Sequence, residues 1–116
     1  MECPMVYPMC RQVVTVYRRS EEGILRRVAE GCFYRYGDEE KVSPEGIRHV
    51  RKFLLIQPSG ESILPGDRIY DGIGPEVTIQ QWEHFLPAAV PGLSVAAYAT
   101  PWCWEGKICH VEAGRK

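Results

Sequence analysis

Residues 13–36, VVTVYRRSEEGILRRVAEGCFYRY, decide the fold. Val13-Val14-Thr15-Val16-Tyr17 is an unbroken run of β-branched and aromatic side chains, which are stiff at χ1 and pack well on a pleated surface. It reads as a first strand ending at Arg18-Arg19. Ser20-Glu21-Glu22-Gly23 supplies a polar turn, and Ile24 to Tyr36 reads as a second strand folding back on the first. Gly31 interrupts that strand and marks a β-bulge or a close backbone approach.

Working toward the C-terminus, Gly37 to Gly46 is charged, contains Pro44 and carries two glycines, so a long mobile loop is expected over 37–47. His49 to Gln57 reads as a third strand. Val50, Leu54 and Ile56 are assigned to the core and His49, Arg51 and Gln57 to solvent, with Phe53 and Leu55 breaking the alternation. Pro58-Ser59-Gly60 and Leu64-Pro65-Gly66-Asp67 are turns around a short strand at Arg68–Asp71. After Gly72-Ile73-Gly74-Pro75, Thr78 caps a short amphipathic helix through Phe85, and Pro87 ends it. Leu93, Val95, Ala97 and Ala99 alternate with more polar neighbours in another strand. Trp102 to Val111 forms the last, interrupted near Glu105-Gly106. The expected fold is mainly β: a small β-barrel or sandwich of about six short strands, with one short helix and the mobile loop.

A chain of 116 residues fits a single domain spanning 1–116. Apolar residues at 45% and charged residues at 25% are ordinary globular values, and no apolar run approaches the roughly 18 residues of a membrane span. The start, Met1-Glu2-Cys3-Pro4, has no signal-peptide pattern, so a reducing cytoplasm is expected and the five cysteines are read as thiols. The net charge of −1 hides an asymmetry. Residues 1–60 carry ten Lys/Arg against eight Asp/Glu, and residues 61–116 carry four against seven. That imbalance is too small to mark a dedicated nucleic-acid binder by charge alone.

Several residue groups could carry chemistry. Cys3, Cys10, Cys103 and Cys109, with His110, are the only zinc candidates, but intervals of six and five residues exceed the tight spacing of zinc knuckles, and thiols are the favoured reading. Glu21-Glu22 and Asp38-Glu39-Glu40 lie in apparent turns, where adjacent acids are solvated loop tips and not an acid/base pair. Gly72-Ile73-Gly74 lacks the third glycine and the lysine of a phosphate loop and reads as a turn. Trp102 and Trp104 share one face of a strand and are assigned to the core. Arg18, Arg19, Arg26, Arg27 and Arg35 cluster if the first two strands form a hairpin, where they could meet DNA or the acidic half of a neighbouring copy. No nucleophile, base and oxyanion site can be assembled, so no enzyme and no cofactor is expected.

Taken in order, Cys3-Pro4, Tyr7-Pro8-Met9-Cys10, Val13–Tyr17 and Gly31-Cys32-Phe33-Tyr34 resemble the start of the short minor capsid proteins of phages and prophages of Gram-positive bacteria. The segment Pro65-Gly66-Asp67-Arg68-Ile69-Tyr70-Asp71-Gly72 resembles that family's turn and strand. Lys107-Ile108-Cys109-His110-Val111-Glu112-Ala113-Gly114 resembles its last strand, which usually closes Val-Glu-Gly; here Ala113 intervenes. Residues 37–48 match nothing in it.

The resemblance implies a head-tail connector component in the virion, passing through the host cytoplasm during assembly. It would be a stopper or head-completion protein that forms a homo-oligomeric ring, is monomeric in isolation, and sits between the portal-adaptor and tail-completion proteins near packaged DNA, with no membrane partner. Asp38, Glu39, Glu40, Lys41 and Pro44 are then candidates for a gate in the lumen, and the five arginines for DNA or subunit contacts. The alternative is a small β-barrel module that binds protein or nucleic acid through Arg18, Arg26, Arg35 and exposed tyrosines.

Overall fold

The computed structural model describes residues 9–58, 61–87 and 89–115, with backbone alone for 38–43 and 47–51. The opening run forms β1 (Gln12–Ser20), which pairs antiparallel with β2 (Gly23–Ser43) from Ser20↔Gly23 to Gln12↔Cys32. The register slips between Gln12 and Val14, where β2 carries one extra residue and Gly31 adopts φ 66°. This is the expected bulge, and glycine takes the left-handed conformation there at no steric cost. The Gln12 side chain bridges the disruption, donating from Nε2 to the Tyr34 carbonyl at 3.0 Å and accepting from the Tyr34 N–H at 2.8 Å.

Past the bulge β2 changes partner. Its second half pairs with β3 (Gly46–Gln57) from Phe33↔Ile56 out to Ser43↔Gly46. One strand of 21 residues therefore serves β1 along one half and β3 along the other. The remaining strands are β4 (Arg68–Asp71), β5 (Leu93–Val95), β6 (Tyr98–Trp104) and β7 (Lys107–Arg115), giving a seven-stranded sheet in the order β5-β4-β1-β2-β3-β7-β6.

The two ends of that order, β5 and β6, are consecutive in the chain, so the sheet curls into a half-barrel. Ala96 and Ala97 make the corner. Ala96 donates to the Asp67 carbonyl and accepts from the Gly66 N–H, and Ala97 donates to the Gly114 carbonyl, each at 2.7–2.8 Å. Gly114 has no room for a side chain: a Cβ there would stand 2.5 Å from the Phe53 carbonyl oxygen and 2.8 Å from the Tyr98 hydroxyl. Pro101 is tolerated because β6 lies at a sheet end, where a missing N–H costs no ladder bond.

Inside the curl lies the main core, which includes Val14, Val16, Ala29, Cys32, Tyr34, Phe53, Leu55, Ile63, Ile69, Val111 and Ala113. A second core on the other face of β1 packs Tyr17, Trp82, Phe85 and Leu93. Burial on both faces explains why the β1 sequence is a continuous apolar run and does not alternate. The outer core is roofed by α1 (Ile79–Trp82), whose cap is the expected Thr78 in a reciprocal pair with Gln81. The helix is shorter than expected, because His84 and Phe85 already make i→i−3 bonds to Gln81 and Trp82. Arg68 closes the turn, donating to the Trp82 and Phe85 carbonyls at 2.6 Å and stacking its guanidinium 3.6 Å from the Trp82 ring centroid.

The fold class stands as expected, with seven strands where about six were read. Three details differ. Residues 37–43 and 46–47, read as loop, continue β2 and β3, leaving Pro44-Glu45 as the turn. The register pairs Asp38 with Arg51, Glu40 with His49 and Lys41 with Arg48 across the ribbon. In β3 the assigned faces are exchanged: Phe53, Leu55 and Gln57 are buried, whereas Leu54 and Ile56 are only half-buried. Gln57 can be buried because its amide is satisfied, accepting from Arg27 Nη1 at 2.7 Å and donating to the Glu61 carbonyl at 2.9 Å. Finally, Trp102 and Trp104 are not in the core.

Candidate functional site

The β1–β2 register distributes the arginines over both faces of the hairpin. Val16 lies opposite Arg27 and Arg18 opposite Leu25 on one face, while Tyr17 lies opposite Arg26 on the other. Arg18 grips Asp67 with two bonds, Nε to Oδ1 at 2.9 Å and Nη2 to Oδ2 at 2.7 Å. Asp67 is almost fully buried and also accepts from the Leu64 N–H, so the pair fixes the Leu64–Asp67 turn beneath β1. The bond to Asp67 holds the Arg18 guanidinium above its usual pKa. Arg27 reaches Gln57, Glu61 at 2.7 Å and the Ser62 carbonyl. Val16, Arg18, Leu25, Arg26, Arg27, Glu61 and Ser62 line a shallow groove of about 340 Å³, in which Glu61 pairs with Arg27 while Arg18 is held by the buried Asp67.

On the opposite face Arg26 donates twice to the Gly74 carbonyl, at 2.6 and 3.0 Å. Thr15 donates to the Gly72 carbonyl and accepts from the Gly74 N–H, and Tyr17 donates to the Pro75 carbonyl at 2.6 Å. A Cβ on Gly74 would collide with the Tyr17 hydroxyl. The Gly72–Pro75 segment is thus a loop locked onto the β1–β2 hairpin through Gly72, Gly74 and Pro75. Arg18, Arg26 and Arg27 act as cross-sheet clamps, and Arg19 and Arg35 stand exposed.

The molecule projects in two places. The β1–β2 pairing ends at Cys32 and the β3–β7 pairing ends at Phe53↔Arg115, so β2 and β3 continue as an arm two strands wide. At the other end of β3, the β6–β7 hairpin runs on past the Gln57↔Val111 pair. The Cα extents of 51 × 36 × 22 Å and radius of gyration of 15.3 Å exceed the ~13 Å of a compact chain of this length, as projecting hairpins require. The gate candidates Asp38, Glu39, Glu40 and Lys41 take strand positions in the arm, and Pro44 lies in its turn.

At the tip of the β6–β7 hairpin Trp102 is 52% exposed, Trp104 49% and Ile108 37%, which corrects the core assignment of the tryptophans. The turn is Glu105-Gly106, with φ 47° and 80°, the left-handed pair of a two-residue type I′ hairpin. A register slip between Trp102 and Cys103 places the extra residue at Cys109. Trp102 stacks on His110, with centroids 5.9 Å apart and rings 19° from parallel. Burial pulls the His110 pKa below the ordinary value, against the opposing pull of Glu112.

Among the described residues the zinc candidates are not gathered into a site. Cys109 is disulfide-bonded, which corrects its reading as a thiol, and Cys3 lies outside the described residues. Cys10, Cys32 and Cys103 are free. Cys10 sits at the bulge, its carbonyl oxygen 3.9 Å from where a Cβ on Gly31 would be. Burial, reinforced by Cys10, pushes the Cys32 thiol up to about 11. Among the described residues no three potential metal ligands of the His, Cys, Asp and Glu types converge, and no helix is long and apolar enough to cross a membrane. Compared with protein-family models, curated proteins and solved structures, the chain matches none.

Proposed function

We propose that this chain is a structural protein of a phage head-tail connector, a stopper or head-completion subunit that forms a ring between the portal-adaptor assembly and the tail. The observation that carries the reading is the ordered set of segments, from Cys3 to Gly114, that resembles the minor capsid proteins. Its described parts fall on the framework: Val13–Tyr17 is the doubly buried strand, Pro65–Gly72 holds the Arg18 clamp and β4, and Lys107–Gly114 is β7. The arm adds support, because a subunit that must bind neighbours above, below and beside it needs contacts beyond its own core. In this reading the arm projects into the lumen and retains DNA.

Removing the gene from the phage that encodes it tests the proposal. Heads that fail to keep DNA or to accept tails are expected, and a full yield of infectious particles would contradict it. Arg18 and Arg26 are engaged internally, which weakens the nucleic-acid module as a second reading. The exposed Trp102 and Trp104 favour its protein-binding form. Steeply salt-dependent binding to free oligonucleotides would mark the nucleic-acid form.

A further inference from the structure

Cys109 lies where the β6–β7 hairpin has left the rest of the sheet. The last pair between β7 and β3 is Gln57↔Val111, so at Cys109 the sheet is only two strands wide. A two-stranded hairpin is marginally stable by itself. This one also slips in register between Trp102 and Cys103, which leaves Cys109 as the extra residue. Cys109 is nevertheless 7% exposed, while Trp102, Trp104 and Ile108 around it are open to solvent.

The sequence holds five cysteines. Cys109 is disulfide-bonded, and Cys10, Cys32 and Cys103 are free, which leaves one cysteine to complete the bond. We infer that Cys109 is bonded to Cys3, and that the bond is a redox-controlled strap on the hairpin that carries Trp102 and Trp104. Cys3 itself lies outside the described residues, but the distance to be bridged is set by described ones. The Cys10 carbonyl oxygen stands 3.9 Å from where a Cβ on Gly31 would be, so residue 10 lies beside the bulge of β2. From β2, β3 and β7 are the next two strands, and the pairs Phe33↔Ile56 and Gln57↔Val111 align them at that level. Two inter-strand steps are ~10 Å, and the two residues from Val111 to Cys109 add ~7 Å along β7. The seven residue steps from Cys10 to Cys3 extend to ~23 Å, enough to close the gap.

The bond forms by thiol–disulfide exchange with a glutathione-type disulfide. One cysteine thiolate displaces a low-molecular thiolate and forms a mixed disulfide, and the second cysteine thiolate then displaces the other. Two cysteine thiols are oxidised, and one small disulfide is reduced to two thiols. A dithiol runs the exchange backwards and leaves as its own cyclic disulfide. The strap stands apart from the connector reading, and its test uses the purified full chain alone.

The chain is equilibrated with oxidised glutathione, alkylated without reduction and digested with trypsin. The fragment of residues 1–11 is expected to be linked to that of residues 108–115, with fragment ions placing the link at Cys3 and with Cys10 and Cys103 alkylated. Amide hydrogen exchange over residues 102–109 should then speed up about tenfold on adding dithiothreitol, with β1 unchanged as the internal control. Cys3→Ser should exchange like the reduced chain and leave Cys109 open to alkylation, with circular dichroism verifying its fold. Reduction of the natural chain gives the same readout without any substitution. A link at Cys10, a link between two chains, alkylation of Cys109 after the glutathione step, or exchange over 102–109 that ignores dithiothreitol overturns the inference.

Discussion

Asp67 shows how one residue holds several elements. It is 3% exposed, and its carboxylate takes both Arg18 bonds and the Leu64 N–H. Arg18→Met leaves that buried charge short of two donors and is expected to cost about 2–3 kcal/mol in urea unfolding, the worth of hydrogen bonds to a charged group. Glu105 is the converse case, a residue poorly suited to its place. At φ 47° it opens a type I′ turn, where Asn is favoured, and Glu105→Asn should raise stability by about 0.5–1 kcal/mol. His110 adds a pH dependence. Its folded pKa lies below its unfolded value, so its contribution is present above the unfolded pKa and is lost as pH falls. Urea midpoints should therefore drop between about pH 7.5 and 5.5, and the drop should shrink in His110→Gln.

Among the elements, the arm separates folding from function most cleanly. Because β2 and β3 pair out to Ser43↔Gly46, a deletion confined to 38–45 would remove one strand and leave its partner unpaired. Excising 38–51 and joining Gly37 to Lys52 through Asn-Gly should keep the thermal midpoint and the near-ultraviolet spectrum. In assembled heads the same change should release packaged DNA, and full retention would exclude the arm as the gate. The arm was not legible as strand because Pro44, two glycines and adjacent acids read as loop, and the evidence for pairing lies in a register between residues up to 15 positions apart, such as Gly37 and Lys52. By contrast β1, the Gly31 bulge and the Thr78 cap rest on local chemistry and were legible. Gln57 misled for the same reason as the arm, since the partners that permit its burial, Arg27 and Glu61, belong to other segments.

For the whole molecule, alternating strands and frequent turns were enough to indicate a small curled β fold. Closure through Ala96-Ala97 was not, because it depends on pairing with Asp67 and Gly114 from separate parts of the chain. The candidate site was half legible. The arginines were found, but three of the five serve as clamps, and the tryptophans were found and placed on the wrong side of the surface. Two indoles side by side satisfy core packing and interface anchoring equally well in a sequence, and only the length of β6 and β7 beyond β3 separates the two. The connector reading is tested most directly by cosedimenting the purified chain with portal-adaptor complexes from a related phage and imaging the pellet by negative stain. The expected result is an extra ring of density beneath the adaptor. Clean absence of binding across several related connectors would contradict it.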